Sequence, residues 1–448
     1  MDATLPAAVP APAVTHRRVL AIAVPMIFAH VTTPLLGIVS ATAIGQLGEA
    51  RLLAAVALGA VVFDFLFWAF VFLRMSTIGL TAQALGAHDD TERRAVIARA
   101  LVMALLCGGA LVLLQRPISF AAFQLMGAST AVNEVAEQYF AVRIWSAPAV
   151  FVNYAVLGWL IGQARTVTGL VLQVAINLVN MALTLLLVTV LGLGVTGAAT
   201  ANALAELSGA VVGLIVVLKL LGGRFGVARS VVFDKAKLIR TIAINRDIMI
   251  RTAALVTGFA FFTRQGAVGG DTVLAANAIL MNLVGVVAFF LDGFATAAEQ
   301  LGGQAVGARN QTAFRRAVAL SAIWAVAFGT GASALFYLGG PLAIDVITSA
   351  EAVRTEARQY LVFAALTPFT GVMAFLFDGV FIGATWTTAM RNCMVAAFAT
   401  FIAAWWLLSG YGNTGLWIAF LVFQACRGLY QWLAYPGMVR RTFAAVPR

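Results

Sequence analysis

Twelve long apolar runs, broken by short polar segments, limit what this chain can fold into. They fall at about 18–42, 52–74, 95–114, 136–161, 167–190, 195–220, 238–262, 272–300, 314–338, 357–383, 391–409 and 414–437. A transmembrane helix needs about 20 predominantly apolar residues, and each run supplies them. In lipid only helices and closed barrels satisfy their own backbone, and these runs are too long for barrel strands of about 9–11 residues. Composition agrees: 62% of the 448 residues are hydrophobic and 10% charged, against about 25% charged in soluble domains. A soluble binding module is excluded. The net charge of +11 does not point to nucleic acid, because the basic residues sit in short breaks and build no basic domain.

Those basic residues report topology instead. With the N-terminus, alternate breaks and the C-terminus on one face, that face holds 19 of the 29 Lys and Arg. The other face holds five, and Arg74, Arg143, Arg246, Arg251 and Arg427 lie within or at the ends of helices. The positive-inside rule then predicts both termini in the cytoplasm. His16, Arg17 and Arg18 precede a first run of about 25 residues with no evident cleavage site, which predicts an uncleaved first helix. Cys107, Cys393 and Cys426 form no CxxC pair and read as small buried hydrophobes.

The two halves repeat at a shift of 221. Leu53-Ala54-Ala55-Val56-Ala57 returns as Leu274-Ala275-Ala276-Asn277-Ala278, and Gln83-Ala84-Leu85-Gly86-Ala87 as Gln304-Ala305-Val306-Gly307-Ala308. Tyr139, Gly158 and Gly162 meet Tyr360, Gly379 and Gly383. The expected fold is an all-α integral membrane protein of about twelve transmembrane helices. They form two six-helix lobes related by a pseudo-two-fold axis along the membrane normal. The expected divisions are a cytoplasmic tail over 1–17, lobes over 18–220 and 238–438, a cytoplasmic linker over 221–237, and a second tail over 439–448.

No HExxH, GxxxxGK[ST] or GxSxG is present, so neither a membrane enzyme nor self-contained ATP-driven transport is indicated. Ionisable groups at membrane depth are costly and point to function. Asp64, Glu206, Asp292, Glu299, Asp378 and His30 are the candidates for ion coupling. Asp292 and Glu299, seven apart, share a helix face. Asp247 and Arg251, at i and i+4, are expected to form a structural ion pair. Pro25, Pro34, Pro148 and Pro368 fall inside helices and favour kinks, and Pro34 with Gly37 marks the first helix as a bending element. No metal or cofactor site is expected beyond a coupling proton or sodium ion.

Several stretches together carry a family resemblance. They include Pro34-Leu35-Leu36-Gly37-Ile38-Val39, Leu73-Arg74-Met75-Ser76-Thr77, Asn245-Arg246-Asp247-Ile248-Met249, Leu291-Asp292-Gly293-Phe294-Ala295 and Asp378-Gly379. The chain resembles the multidrug and toxic compound extrusion (MATE) family, in its DNA-damage-inducible F branch, from about 18 to 438. The resemblance implies a V-shaped pair of lobes, alternating access, and export of amphipathic organic cations against inward proton or sodium flow. It implies a bacterial inner-membrane protein, and a two-lobed chain complete as a monomer. It also exposes departures. The branch usually has aspartates where this chain has Ser40 and Thr184, and Asp64 stands where the branch is usually uncharged. Ser40, Asn177, Asn180 and Thr184 then form a polar shell for cation or substrate, and coupling is expected to run through Asp64 or the C-terminal lobe. An uncoupled facilitator or metabolite exporter, and a flippase for lipid-linked precursors, are the competing readings on the same scaffold.

Overall fold

The computed structural model describes residues 14–127 and 129–444; the side chains of His30 and Pro34, both named above, lie outside the described set. Among the described residues the regular structure is entirely helical. Six spans form the first half: α1 (His16–Gly45), α2 (Ala50–Gly86), α3 (Asp90–Leu113), α4 (Thr130–Gly162), α5 (Thr166–Val190) and α6 (Gly194–Leu220). Six form the second: α7 (Lys235–Val268), α8 (Asp271–Gly307), α9 (Gln311–Ile347), α10 (Glu351–Gly383), α11 (Thr387–Leu408) and α12 (Gly412–Phe443). The α3 span continues as Gln115–Met126, which the apolar pattern missed because Gln115, Arg116 and Gln124 make it amphipathic. Polar residues such as Arg246, Asp247, Arg251 and Arg264 likewise dilute α7.

The duplication is written into the element ends. Ala50–Gly86 and Asp271–Gly307 start and stop 221 residues apart (271 less 50), as do Thr130–Gly162 and Glu351–Gly383. The face where α2 and α8 end is here called the base; the opposite face is the rim. His88, Ala164, Arg309 and Thr385, all at base-face turns, hold positive φ of 52–62°. They too pair at the 221-residue shift, so a left-handed turn that ordinarily favours glycine is kept by ordinary residues in both halves.

Small residues set how closely the helices cross. A Cβ on Gly158 or Gly162 would strike the carbonyls of Arg74 and Ile78 on α2. In the second lobe, Gly379 and Gly383 meet the carbonyls of Ala295 and Glu299 on α8 in the same way. These are equivalent positions, so one backbone-on-backbone crossing is used twice, as small residues allow in lipid. The lobes meet through a third such crossing. Gly86 of α2 faces the Gln304 carbonyl, and Gly307 of α8 faces the Gln83 carbonyl. That reciprocal pair places the pseudo-two-fold axis between the base ends of α2 and α8.

Side chains reinforce the base. Gln83 Nε2 donates to the Gly383 carbonyl at 2.9 Å, Arg18 Nη2 to Gln304 Oε1 at 2.9 Å, and Lys237 pairs with Glu92 at 2.5 Å. The first lobe's apolar core runs on into Ile244, Ala298, Phe314 and Trp386 at the base of the second. Toward the rim the second lobe keeps a separate core around Phe262, Phe401, Trp417 and Phe420. The cleft between lobes is therefore closed at the base and opens to the rim. Gly37 on the rim half of α1 has nothing within 4 Å of a Cβ built there.

The proline reading is partly revised. Pro148 follows a 3₁₀ turn at Ile144–Ser146 that interrupts α4, and Pro368 lies inside α10. Pro341 in α9 and Pro436 in α12 are also within helices. The packing gives a stability prediction. Gly379→Val, forced against the Ala295 carbonyl, should cost about 3 kcal/mol and lower the detergent melting temperature. Gly37→Val should leave it unchanged, as thermal unfolding by tryptophan fluorescence would show.

Candidate functional site

Each lobe brings a different polar cluster to the cleft. In the first, Gln173, Asn177, Asn180 and Thr184 recur at helical spacing along one face of α5. Asn177 Nδ2 donates to Thr32 Oγ1 of α1 at 2.7 Å, and Gln173 Nε2 to Asn177 Oδ1 at 3.3 Å. Thr184 Oγ1 donates to Asn180 Oδ1 at 3.1 Å, while Asn180 Nδ2 reaches Asn202 Oδ1 of α6 at 3.0 Å. Immediately beyond Thr184 the helix widens into a π turn over Leu185–Val190, a feature that often marks functional helices. The predicted shell residues Asn177, Asn180 and Thr184 thus converge. Ser40 lies farther along α1, half-buried, with Gly37 on the open side. Thr32, Gln173 and Asn202 were not anticipated, although Asn202 and Glu206, one turn apart, gave α6 a polar face.

A second group in this lobe gathers around Arg143. Its Nη1 donates to Tyr139 Oη at 2.9 Å, and its guanidinium carbon sits 4.7 Å from the Phe63 ring centre. Asp64 of α2 and Glu206 of α6 both lie within electrostatic reach of it. Glu206 is oriented by Asn153, whose Nδ2 reaches Oε2 at 2.7 Å and the Glu206 carbonyl at 2.9 Å. Asp64 is exposed and forms no ion pair within 4.0 Å among the described residues. Two carboxylates thus gather around one guanidinium beside aromatic rings. The sequence showed both carboxylates but not the arginine that joins them, because α4 brings Arg143 in from a distant position.

The second lobe answers with a closed ionic core. Asp378 of α10 is held by Arg251 of α7, by Arg427 Nη2 of α12 at 3.0 Å, and by Gln431 Nε2 at 2.8 Å. Gln424 accepts from Arg427 at 2.8 Å, and the Phe375 and Phe423 rings flank that guanidinium. This corrects the expected Asp247–Arg251 pair. Asp247 binds Arg391 Nη1 at 2.6 Å, Arg246 at 3.1 Å and Thr388 Oγ1 at 2.6 Å. One turn deeper, Arg251 faces α10, and a buried cation needs the buried carboxylate found there.

Asp292 and Glu299 share a face of α8 as expected, where α8 approaches α2. Arg74, Arg251, Arg427 and Asp378 all lie within electrostatic reach of Asp292. Glu299 is only 5% exposed, yet its Oε1 has no hydrogen-bond partner, and neither do Gln300 Oε1 and Nε2 or Arg74 Nε. Among the described residues no group of three His, Cys, Asp or Glu gathers to hold a metal ion.

The MatE family model matches residues 25–186 and 251–406, one segment in each lobe and together well over half the chain. The chain belongs to the MatE family. It is a multi-pass membrane transporter and not an enzyme. It is 40% identical over 414 residues to DNA damage-inducible protein F of Escherichia coli (strain K12), covering 91% of this chain and 89% of that one. It is 26% identical over 373 residues to the probable multidrug resistance protein NorM of Caulobacter vibrioides, covering 77% and 75%. The fold matches a solved outward-facing multidrug resistance MATE transporter of the MOP superfamily with a TM-score of 0.86 at 18% identity, over 96% and 97% of the two chains.

Within this MatE chain the duplicated lobes have diverged at matched positions. Asn180 and Asn202, hydrogen-bonded in the first lobe, become Phe401 and Phe423, stacked at 5.2 Å in the second. Glu206 becomes Arg427 at the same 221-residue shift. Hydrogen-bonding capacity is concentrated on one side of the cleft and a sealed ionic core on the other. Asp378 is the carboxylate that both guanidinium groups share, so removing it strands two buried cations. Asp378→Leu should therefore cost about 3–5 kcal/mol, whereas Arg427→Leu, which leaves the Asp378–Arg251 pair in place, should cost less. Thermal unfolding of the two single variants measures this.

Proposed function

We propose that the chain is a secondary active exporter of amphipathic organic cations. It works by alternating access, with inward proton or sodium flow supplying the energy. One observation carries the reading: in a two-lobed fold closed at the base, Asp64 and Glu206 gather around Arg143, whose guanidinium lies over the Phe63 and Phe67 rings of the first lobe. Carboxylates among aromatic faces suit a cation with an apolar body. The excess of Lys and Arg at the base supports a cytoplasmic location for that face, and for both termini, in a bacterial inner membrane. The cleft is then outward-facing.

Coupling is assigned to Asp64 with Glu206, which stand in for the carboxylates absent at Ser40 and Thr184. Asp378 is less suited, because two guanidinium groups and an amide already neutralise it. The unpartnered Glu299, Gln300 and Arg74 atoms sit where the lobes cross, and a second arrangement of the lobes gives them partners or water. No nucleic acid or cofactor is involved, and the two-lobed chain works as a monomer.

The test is efflux of a fluorescent organic cation from proteoliposomes under an imposed proton gradient, an imposed sodium gradient, and neither. One gradient should accelerate efflux, and Asp64→Asn should abolish the acceleration. Efflux driven by either gradient in Asp64→Asn and in Glu206→Gln overturns the coupling assignment. Movement solely down the dye's own gradient establishes a facilitator. No movement at all directs the assay to lipid-linked precursors.

A further inference from the structure

The second lobe carries a groove of about 660 Å³ toward its base end, between α9, α10 and α12. Its floor is Met373 and Phe377 of α10, and its walls are Ala319 and Ala322 of α9 and Trp432 of α12. Arg315 and Arg440 stand at its mouth. Arg315 is four residues into α9 and Arg440 lies in the last turn of α12. Both Cα atoms therefore sit roughly 6 Å or less from the helix ends, close to headgroup depth. Trp432 lies roughly 16 Å deeper from the end of α12, at acyl depth. The groove is thus basic at the interface and apolar below. α12 has no Asp or Glu, and neither arginine has an ion-pair or hydrogen-bond partner among the described residues.

The first lobe shows what such a groove requires. Arg94 and Lys219 occupy the positions equivalent to Arg315 and Arg440, 221 residues earlier. Arg94 Nη1 donates to the carbonyls of Leu221 at 2.9 Å, Arg224 at 3.2 Å and Phe225 at 3.1 Å. Leu221 and Phe225 join the apolar core, and the helical turn Arg229–Val232 packs on α3. The linker plugs this groove with acceptor oxygens at the arginine and apolar groups beneath. The linker belongs to the first lobe, and among the described residues the second lobe has the same basic mouth and apolar floor without that plug.

We infer that an anionic phospholipid of the surrounding leaflet occupies the groove of the second lobe. Its phosphodiester oxygens accept from Arg315 and Arg440, and an acyl chain lies on Met373 and Phe377 between Ala319, Ala322 and Trp432. Basic pockets between transmembrane helices on the cytoplasmic side suit anionic headgroups, and a guanidinium fork matches phosphate geometry. The lipid fills in one lobe the space that the chain fills in the other.

The experiment compares the purified full chain in micelles containing phosphatidylglycerol or phosphatidylcholine. Thermal unfolding is one readout, and native mass spectrometry of retained lipid is a second that does not depend on unfolding. Phosphatidylglycerol should raise the melting temperature above phosphatidylcholine and leave one retained lipid. The double variant Arg315→Gln/Arg440→Gln should lose both effects. Ala319→Trp, which keeps both arginines but fills the groove, should lose them too, whereas Arg358→Gln at the rim should keep them. An undiminished phosphatidylglycerol effect in the double variant and in Ala319→Trp overturns the proposal. So does equal stabilisation by inorganic phosphate at matched ionic strength. A several-fold gain in lipid binding on deleting residues 445–448 would make the tail the native occupant, and overturns it as well.

Discussion

The approach of α2 and α8 at the base holds the two lobes in register. Gly86 and Gly307 let each backbone rest on the other's carbonyl, at Gln304 and Gln83, with no side chain between. Because the contact is reciprocal it lies on the pseudo-two-fold axis, and the rest of the interface is arranged around it. The Arg18–Gln304 and Gln83–Gly383 hydrogen bonds flank it, and the shared core around Ile244, Phe314 and Trp386 lies alongside. A crossing made of backbone is thin and stiff. Two six-helix lobes meeting on such a crossing have the kind of pivot that the proposed alternating access would use.

Duplication supplied two equal lobes and divergence made them unlike. The amides at Asn180 and Asn202 offer donors and acceptors that exchange partners cheaply, whereas Phe401 and Phe423 at the equivalent positions fill space. Around Asp378, Arg251 and Arg427 share a single carboxylate. Such an ionic core resists change, because pulling that carboxylate away leaves uncompensated charge at membrane depth. The first lobe keeps exchangeable polar partners where the second keeps packed rings and a fixed ionic core.

Much of the fold was legible in the sequence. Apolar run length, charge asymmetry and the 221-residue repeat are properties of the chain that the bilayer reads directly, and the spans fall where they indicate. Side-chain partnerships were less legible. The face of α5 carrying Asn177, Asn180 and Thr184 followed from helical spacing, but Thr32 and Asn202 come from helices whose rotation spacing does not fix. The Asp247–Arg251 expectation failed for the same reason. Neighbours on one helix are visible in sequence, while the stronger partners, Arg391 and Asp378, lie on other helices. Arg143, counted only as a charge within a helix, links Asp64 to Glu206 through tertiary packing alone.

The closed base has an electrical consequence. Water filling the cleft from the rim carries the potential of that side down to the α2–α8 crossing, so the membrane voltage falls mainly across the short plug beneath. A charge moved through the whole voltage gains or loses about 2.3 kcal/mol per 100 mV. In the proposed cycle Asp64 and Glu206 lie on the wet side of the plug and feel little of that drop, so loading an ion there would be nearly independent of voltage. The electrical work would then fall to the step in which the lobes tilt and the plug re-forms on the other side of those same carboxylates.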